Sequence, residues 1–424
     1  MKLVFLAAIA LSCLAAVQVR AEDPGLQQLI DEALRNSPDL HASRSRVSAS
    51  EYRIPQAQTL PDPMITFGYQ NEGFKKFTYG NPDNPNAQGI FSASQTIPFP
   101  GKLSLKGELA TRESESSLAN YAASRLRIIA RVKELYFDLY NTYKSIDLIN
   151  ERTALFTRVE EAALARYSTG KGSQQEVLMA QTEKYMLLEK EEMLRQKTES
   201  LEAMLNAAIG KPANAPLSKP SDVQQSIFIY TLDELITISG EQSPELQSRD
   251  KMISAAETKV EMAKKDYYPD FTITGSYFPR GNNMENMWSL TTSVNIPIFY
   301  RSKQKQAVNE AEASLSEARS EKEATKLMIA SVIRDNFAML KASDKLMSLY
   351  KDGLIPKSYQ DVELSLSGYK TGTVDALTVI TRLKSVIDYE IAYWNQFAER
   401  EKAIARLEAI TNLPGAVIKS QAGN

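Results

Sequence analysis

The sequence gives the same pattern twice, about 200 residues apart. Leu26 to Ile30 (LQQLI) and Ser37 to Leu40 (SPDL) return as Leu232 to Ile236 (LDELI) and Ser243 to Leu246 (SPEL), an offset of 206 residues. A chain of two copies has internal pseudo-symmetry, so equivalent elements of both halves are expected to surround any central axis. We predict a first structural repeat over 22–222 and a second over 223–424.

The first residues predict export. Met1 and Lys2 precede fifteen uncharged, mostly apolar residues, and Val19-Arg20-Ala21 has the small or branched residues of a cleavage site. This pattern predicts a cleaved signal peptide over 1–21. A membrane anchor is the alternative, but fifteen residues fall short of the roughly 20 that a spanning helix needs. A lipoprotein acylated at Cys13, the only cysteine, is a further alternative with a poor consensus before the cysteine.

The amino-acid composition limits which classes of partner and which kind of membrane segment are expected. The 403 residues after position 21 carry 48 basic and 52 acidic side chains, a net charge of −4, so we expect no nucleic-acid partner. No segment after the leader has 18 consecutive apolar residues. If the mature protein crosses a membrane, it must do so as a closed β-barrel.

Each repeat contains two segments in which apolar and small polar residues alternate. This period predicts strands between lipid and a water-filled lumen, although a half-buried sheet of a soluble protein shows it too. Four strands cannot close a membrane barrel, for which about eight is the minimum, so a trimer would supply twelve. The predicted strands span about 64–70, 89–97, 271–277 and 288–296.

Long helical hairpins make up most of the predicted fold, which is mixed but mainly α. Lys102 to Ser168 lacks proline and predicts one helix of 67 residues, which spans about 100 Å. Its counterpart, Ser302 to Ser367, contains Pro356, which predicts a kink or a break. Apolar residues at coiled-coil spacing predict antiparallel hairpins over about 102–209 and 302–411.

The order of these elements resembles a known family. Two copies of strand, strand, long helix, turn and returning helix, with Gln95 to Lys102 (QTIPFPGK) and Arg166 to Gly170 (RYSTG), resemble the TolC family of outer-membrane efflux proteins. The resemblance extends from about Leu26 to Leu413. Leu60 to Met64 (LPDPM) and the PFPGK segment are most similar to the branch that serves heavy-metal and cation efflux pumps.

The resemblance implies a homotrimer. Its twelve strands would form one β-barrel in the lipid of the outer membrane, and its helices would form an α-helical barrel across the periplasm. The protein would be a passive duct for metal cations or small toxic compounds. It would receive them through a periplasmic adaptor protein from an inner-membrane pump of the resistance-nodulation-division class.

The resemblance also implies functional residues at the tips farthest from the membrane. The turns at Gly170 and Gly372 would face the adaptor, and both glycines suit a left-handed turn. Glu176 lies six residues after the first glycine, where the archetypal exporter carries an acidic residue. That residue bonds a tyrosine three residues before the second glycine, which here is Tyr369. We therefore predict a periplasmic gate at Glu176 and Tyr369.

Asp375 is the third predicted gate residue. The archetype carries an acidic ring after its second glycine, where this chain has Thr378 and Thr381, so that ring does not carry over. Asp375, three residues after Gly372, could replace it, or could serve the N-terminus of the following helix.

No catalytic, metal or cofactor site is predicted. His41 is the only histidine, which excludes most histidine-based triads and metal clusters, and it is interpreted as a polar helix-face residue. Gly170 to Ser173 (GKGS) lacks the spacing of a phosphate loop and predicts a turn. Glu189 to Glu192 predicts a solvated helix face. Met179, Met186 and Met193 are interpreted as packing positions rather than soft-metal ligands.

Two other classes of protein stay open. A structural periplasmic coiled-coil protein would also have long helices, and a periplasmic adaptor would have one hairpin in a lipoyl-like domain, whereas this chain predicts two hairpins. Within the class of ducts, type I polypeptide secretion is the alternative to efflux of small solutes.

Overall fold

The computed structural model describes residues 25–73, 79–80, 84, 86–281 and 284–413. The predicted signal peptide and Cys13 lie outside the described residues. The first repeat comprises α1 (Leu26–Asn36), α2 (Pro38–Gln58), β1 (Met64–Gln70), β2 (Gln88–Ile97), α3 (Lys102–Ser168) and α4 (Gln174–Ala208). The second comprises α5 (Leu232–Gln242), α6 (Pro244–Lys265), β3 (Phe271–Phe278), β4 (Met287–Val294), α7 (Gln304–Ser348), a π-turn (Leu349–Leu354), α8 (Ile355–Thr371) and α9 (Ala376–Thr411).

The same order of elements occurs in both halves, so the predicted fold class with its internal repeat is confirmed. Helix α3 has the predicted bounds and all 67 residues. Strand β4 ends at Val294, two residues before the predicted end at 296. The division between the repeats at 222 and 223 stays a prediction.

The four strands form one antiparallel sheet in the order β1-β2-β3-β4. Strands β2 and β3 come from different repeats and pair at the centre, with Ser94 opposite Thr274, so the sheet joins the two halves. The outer strands β1 and β4 are each paired on one side only within the chain. Large apolar side chains project from both edge strands, and Phe67 is 73% and Trp288 78% exposed.

The junction between sheet and helices explains two of the repeated segments. Asp270 accepts hydrogen bonds from the backbone N–H of Phe99 at 2.8 Å and from Lys102 Nζ at 2.9 Å. Lys102 also donates to the carbonyl of Tyr268, whose ring stacks on Phe99 at 4.5 Å. Gly101 has a φ of +92°, which favours glycine. PFPGK of the first repeat and Tyr268-Pro-Asp270 of the second thereby fasten the repeats together where strands become helices.

Apolar side chains at three- and four-residue spacing pack the helices together. The cluster nearest the tips joins both hairpins, because Phe156 on α3, Val177 on α4, Tyr369 on α8 and Ile380 on α9 all belong to it. Two further clusters hold α1, α3 and α9, and α5, α7 and α9. Among the described helices, none combines the length and the run of apolar residues that a membrane-spanning helix needs.

The predicted interruption of the second long helix is confirmed as a π-turn. Pro356 lacks an N–H, so in a regular α-helix the carbonyl of Asp352 would have no donor. The chain instead widens to one π-turn at 349–354, immediately before the proline, and continues as α8. The helix therefore remains continuous, with a local change of hydrogen-bond register rather than a break.

The junction yields a test of stability. Asp270→Asn removes the charge that two donors share, so we expect the free energy of unfolding to fall by about 1 to 2 kcal/mol; this is less than for a buried pair because Asp270 is 33% exposed. Urea unfolding of the purified protein, followed by circular dichroism, measures it. Asp266→Asn is the matched control, because Asp266 lies 3.5 Å from the same lysine but is 61% exposed. Equal losses in the two variants would contradict a special role for Asp270.

Candidate functional site at the helical tips

Both hairpins end in turns that need glycine. Gly170 has a φ of +71° and Gly372 a φ of +85°, which is the left-handed region. Lys171 N–H donates to the Arg166 carbonyl at 2.9 Å, and Thr373 N–H donates to the Gly368 carbonyl at 2.9 Å, so both turns close in the same way. The sequence GKGS is thus a turn between helices, as predicted.

The returning helices begin with equivalent caps. Ser173 accepts a hydrogen bond from the backbone N–H of Glu176 at 3.4 Å, and Asp375, 202 residues later, accepts one from Thr378 at 2.7 Å. The hydrogen bond to Thr378 holds the pKa of Asp375 below its usual range. Asp375 is therefore the N-cap of α9, which is the second of the two roles considered for it. Its contribution to a gate stays a prediction.

Glu176 and Tyr369 meet at the tips. The Tyr369 hydroxyl donates to Glu176 Oε2 at 2.7 Å and so joins α8 to α4. Tyr369 is completely buried in the apolar cluster, whereas Tyr167, its equivalent in the first repeat, is 45% exposed. The family resemblance predicted this pair, and the structure brings the two side chains into contact within one chain.

Arg166 is a member of this site that the sequence analysis did not identify. Its Nη1 donates to the Tyr369 carbonyl at 2.9 Å and its Nη2 to the Lys171 carbonyl at 3.0 Å, so one guanidinium ties both tip turns. The guanidinium carbon lies 4.9 Å from the centre of the Tyr369 ring, and Nε lies 3.9 Å from Glu176 Oε2. A signal existed in the sequence, because Arg166 lies where the second repeat has Gly368.

A second set with the same chemistry lies along the same helices. Arg152 donates to both carboxylate oxygens of Glu390, at 3.0 and 2.8 Å, and Tyr359 donates to Glu390 Oε1 at 2.7 Å. The guanidinium of Arg152 lies over the Tyr359 ring at 5.3 Å. This arginine–tyrosine–glutamate set joins α3, α8 and α9. Its three members are far apart in the sequence, so spacing could not predict it.

Burial and hydrogen bonding set the protonation state of Tyr369 and Tyr359. Burial raises the pKa of Tyr369, and the hydrogen bond to Glu176 raises it further. Burial and Glu390 raise the pKa of Tyr359 in the same way. Both phenols therefore stay protonated and continue to donate across the whole physiological range of pH.

The other candidate residues agree with the predictions only in part. Met179 packs against the cluster near the tips, but Met186 is 48% and Met193 66% exposed, so the packing interpretation is wrong for these two within one chain. Glu191 is 9% exposed and accepts from Arg195 Nε at 3.1 Å, so it does not lie on a solvated face. His41 is exposed on α2, as predicted.

The described residues of these helices do not form a metal-binding site. Within the described ranges, no group of three or more histidine, cysteine, aspartate or glutamate side chains could hold a metal ion. The ionisable groups at the tips instead bind one another, and their arrangement holds helices together.

Comparison with protein families identifies the class. The family model described as outer membrane efflux protein matches residues 29–211 and 235–413, one match for each repeat. The chain belongs to this family of outer membrane efflux proteins, and its location is the outer membrane. The family predicted from the repeated segments is confirmed.

Individual relatives are distant in sequence. The chain is 22% identical over 396 residues to TtgC of Pseudomonas putida strain KT2440, a probable efflux pump outer membrane protein, covering 87% of this chain and 79% of TtgC. The solved structure of CusC, described as forming a transmembrane channel, superposes with a TM-score of 0.80 over 92% of each chain at 16% identity. VceC, an outer membrane protein of Vibrio cholerae, gives 0.77 at 17% identity over 92% of this chain and 97% of VceC. At these identities, the solved structures establish the fold.

The buried tyrosine gives a prediction for alkaline pH. Because the pKa of Tyr369 is higher in the folded protein than in the unfolded chain, its bond to Glu176 stabilises the fold fully below the unfolded value of about 10. That stabilisation is lost only as the pH rises through the folded value. Between pH 9 and 11, the absorbance of tyrosinate at 295 nm should be equal in the wild type and in Tyr369→Phe. After unfolding in urea, the absorbance of the wild type should exceed that of Tyr369→Phe by the contribution of one tyrosinate. The same difference in the folded proteins would contradict the raised pKa of Tyr369.

Proposed function

We propose that three copies of this chain form the outer-membrane exit duct of a tripartite efflux pump. One observation carries the proposal. The chain has an open four-stranded sheet with exposed apolar side chains at one end. At the other end, two hairpins whose long arms span about 100 Å meet at the partly buried Glu176–Tyr369 contact. The sheet suits a membrane barrel, and the hairpins suit a tunnel.

The trimer follows from the edges of the sheet. Strands β1 and β4 leave hydrogen-bonding groups along one side of each within the chain. Pairing of β4 with β1 of the next copy would satisfy those groups, and three copies would supply a closed barrel of twelve strands. The exposed apolar side chains, such as Phe67 and Trp288, would then face lipid.

The partners at the other end are a periplasmic adaptor and an inner-membrane pump. The turns at Gly170 and Gly372 end the hairpins farthest from the sheet and are exposed. The description of TtgC as an efflux pump outer membrane protein supports a pump partner. We assign the pump to the resistance-nodulation-division class on the resemblance of the repeated segments.

The cargo is metal cations or small toxic compounds, which the duct conducts passively and without a catalytic step. The cation branch is supported by the segments at 60–64 and 98–102, of which the second forms the junction with Asp270. We assign selection of the substrate to the pump.

The resting duct is closed at the tips by Glu176, Tyr369 and Arg166. Their contacts join α3, α4 and α8, so the hairpins cannot separate until these bonds break. Binding of the adaptor would supply the differential free energy for opening.

Two measurements test the duct. In planar bilayers, the purified trimer should conduct ions in discrete steps. In cells that lack their own exit duct, expression with the neighbouring pump and adaptor should restore resistance to metal salts or toxic dyes. Heat-resistant trimers that never conduct would favour a structural role, and restored secretion of a polypeptide without restored resistance would favour type I secretion.

Removal of one hydroxyl tests the gate. Tyr369→Phe keeps the buried ring but loses a charge-assisted hydrogen bond worth about 1.5 to 3 kcal/mol, so the closed state should weaken and mean conductance should rise several-fold. Single-channel recording measures it. Tyr167→Phe is the matched control, because this tyrosine has the equivalent position in the first repeat and is 45% exposed. If Tyr369→Phe, Glu176→Gln and the control all conduct like wild type, the gate lies elsewhere.

Substitution of the tip glycines tests the docking of the adaptor. Gly170→Val and Gly372→Val force a branched residue into the left-handed region, at a cost of about 1 to 2 kcal/mol, and reshape the exposed turns. We expect efflux to be lost while trimer and membrane insertion remain, as measured by resistance of cells and by heat-resistant bands on gels. Gly240→Val, in helix α5 with open space around it, should leave efflux unchanged. Full resistance in both tip variants would rule out docking at these turns.

A further inference from the structure

The outer side of α2 carries unpaired positive charge. Arg46 and Arg53 are exposed and lie seven residues apart, so they project from the same side of the helix. Neither makes an ion pair with another residue in the described ranges. The residues of α2 that face α3 are instead small or apolar, among them Ser43, Val47 and Ser50.

The outer side of α7 carries the opposite charge with the same spacing. Glu310 and Glu317 are exposed, lie seven residues apart and form no ion pair with the rest of the described chain. Small residues, Ala313 and Ser320, lie exposed between and beyond them. An acidic row and a basic row of equal period are therefore both left without partners on the single chain.

The sheet brings these two rows together between copies. Helix α2 leads into β1 and α7 follows β4, and β1 and β4 are the two edges of the sheet. If β4 pairs with β1 of a second copy, α7 lies along α2 of that copy. The two helices then run in opposite directions, since one enters the sheet and the other leaves it.

The chain already contains one contact of this kind. Strand β2 pairs with β3, and accordingly α3, which follows β2, packs along α6, which precedes β3. In that contact the basic residues lie on α6 and the acidic ones on α3: Lys251 Nζ lies 3.0 Å from Glu115, and Lys259 Nζ lies 3.9 Å from Glu113. The hydroxyls of Ser116 and Ser248 meet between them at 2.9 Å.

The pseudo-symmetry relates this internal contact to the two unpaired rows. Helix α2 is the counterpart of α6 at the 206-residue offset, and Arg53 has the position of Lys259. Helix α7 is the counterpart of α3. Both contacts therefore have the basic helix before a strand and the acidic helix after one.

We propose that α2 of one copy and α7 of the next form an electrostatic seam, with Arg46 opposite Glu317 and Arg53 opposite Glu310. Because the two helices are antiparallel and both rows have seven-residue spacing, the first residue of one row lies opposite the second residue of the other row. The proposal rests on the oligomeric duct of the proposed function and names the contact that holds neighbouring copies together. The seam is heterologous, so it closes only as a ring.

A charge swap tests the seam. Arg46→Glu with Arg53→Glu in the full-length chain places four like charges along each seam, so the trimer fraction at a fixed protein concentration in detergent should fall roughly tenfold. Adding Glu310→Arg and Glu317→Arg restores opposite charges and should restore the trimer. Light scattering after size-exclusion chromatography measures the mass. Arg127→Glu with Arg131→Glu, exposed arginines of α3, is the matched control and should leave the trimer intact.

A crosslink tests the register independently of stability. The only cysteine, Cys13, lies in the predicted signal peptide, so any disulfide in the mature protein must involve the introduced cysteines. Arg46→Cys with Glu317→Cys should give covalent dimers and trimers under mild oxidation, whereas Arg127→Cys with Glu317→Cys should give neither.

The outcomes separate the seam from the duct. A trimer that resists charge reversal, or that the four-fold swap fails to restore while circular dichroism shows intact helices, overturns the seam and leaves the duct standing. A control crosslink as efficient as the 46–317 crosslink overturns the register. A wild-type protein that is monomeric and never conducts overturns the proposed function itself.

Discussion

The pairing of β2 with β3 is the contact on which the rest of the structure depends. These strands come from different repeats, and their pairing sets which helices become neighbours, because α3 leaves the sheet beside the point where α6 enters it. Asp270 and Lys102 fix the direction of that departure by binding across the two repeats at the junction. A small rotation here would be carried along a helix of about 100 Å to its far end.

Apolar packing alone would leave the long helices free to slide. Seven-residue spacing repeats along their whole length, so adjacent registers bury similar area. Polar contacts at fixed positions along the helix axes remove that freedom, because they can form in one register only. These contacts are the sets Arg152–Glu390–Tyr359 and Arg166–Glu176–Tyr369. The proposed gate uses the same bonds, so the register of the helices and the proposed closing of the duct depend on one set of contacts.

The two repeats have diverged in ways that matter at the tips. Tyr369 is buried and bonded, whereas its equivalent Tyr167 is largely exposed, and Arg166 has no basic equivalent at Gly368. The hairpins are thus alike in backbone but unlike in the contacts that they make at the tips. One supplies the arginine and the acceptor Glu176, and the other supplies the tyrosine. The Glu176–Tyr369 contact is therefore made within a single chain by two unlike halves.

The family resemblance, rather than local chemistry, predicted the pairing of Glu176 with Tyr369. The sequence by itself determined the repeat, the full extent of α3, the strands and the interruption at Pro356. These depend on local chemistry: proline lacks a donor, glycine tolerates a positive φ, alternation marks a strand, and the repeat aligns equivalent turns. Only the tertiary structure decided that Arg166 ties both turns, that Asp375 caps a helix, that Glu191 is buried and that Arg152, Tyr359 and Glu390 meet. Those contacts join residues up to 238 positions apart across helices whose seven-residue period permits several registers. The choice among registers is made by the sheet and its junction, which lie at the opposite end of the molecule.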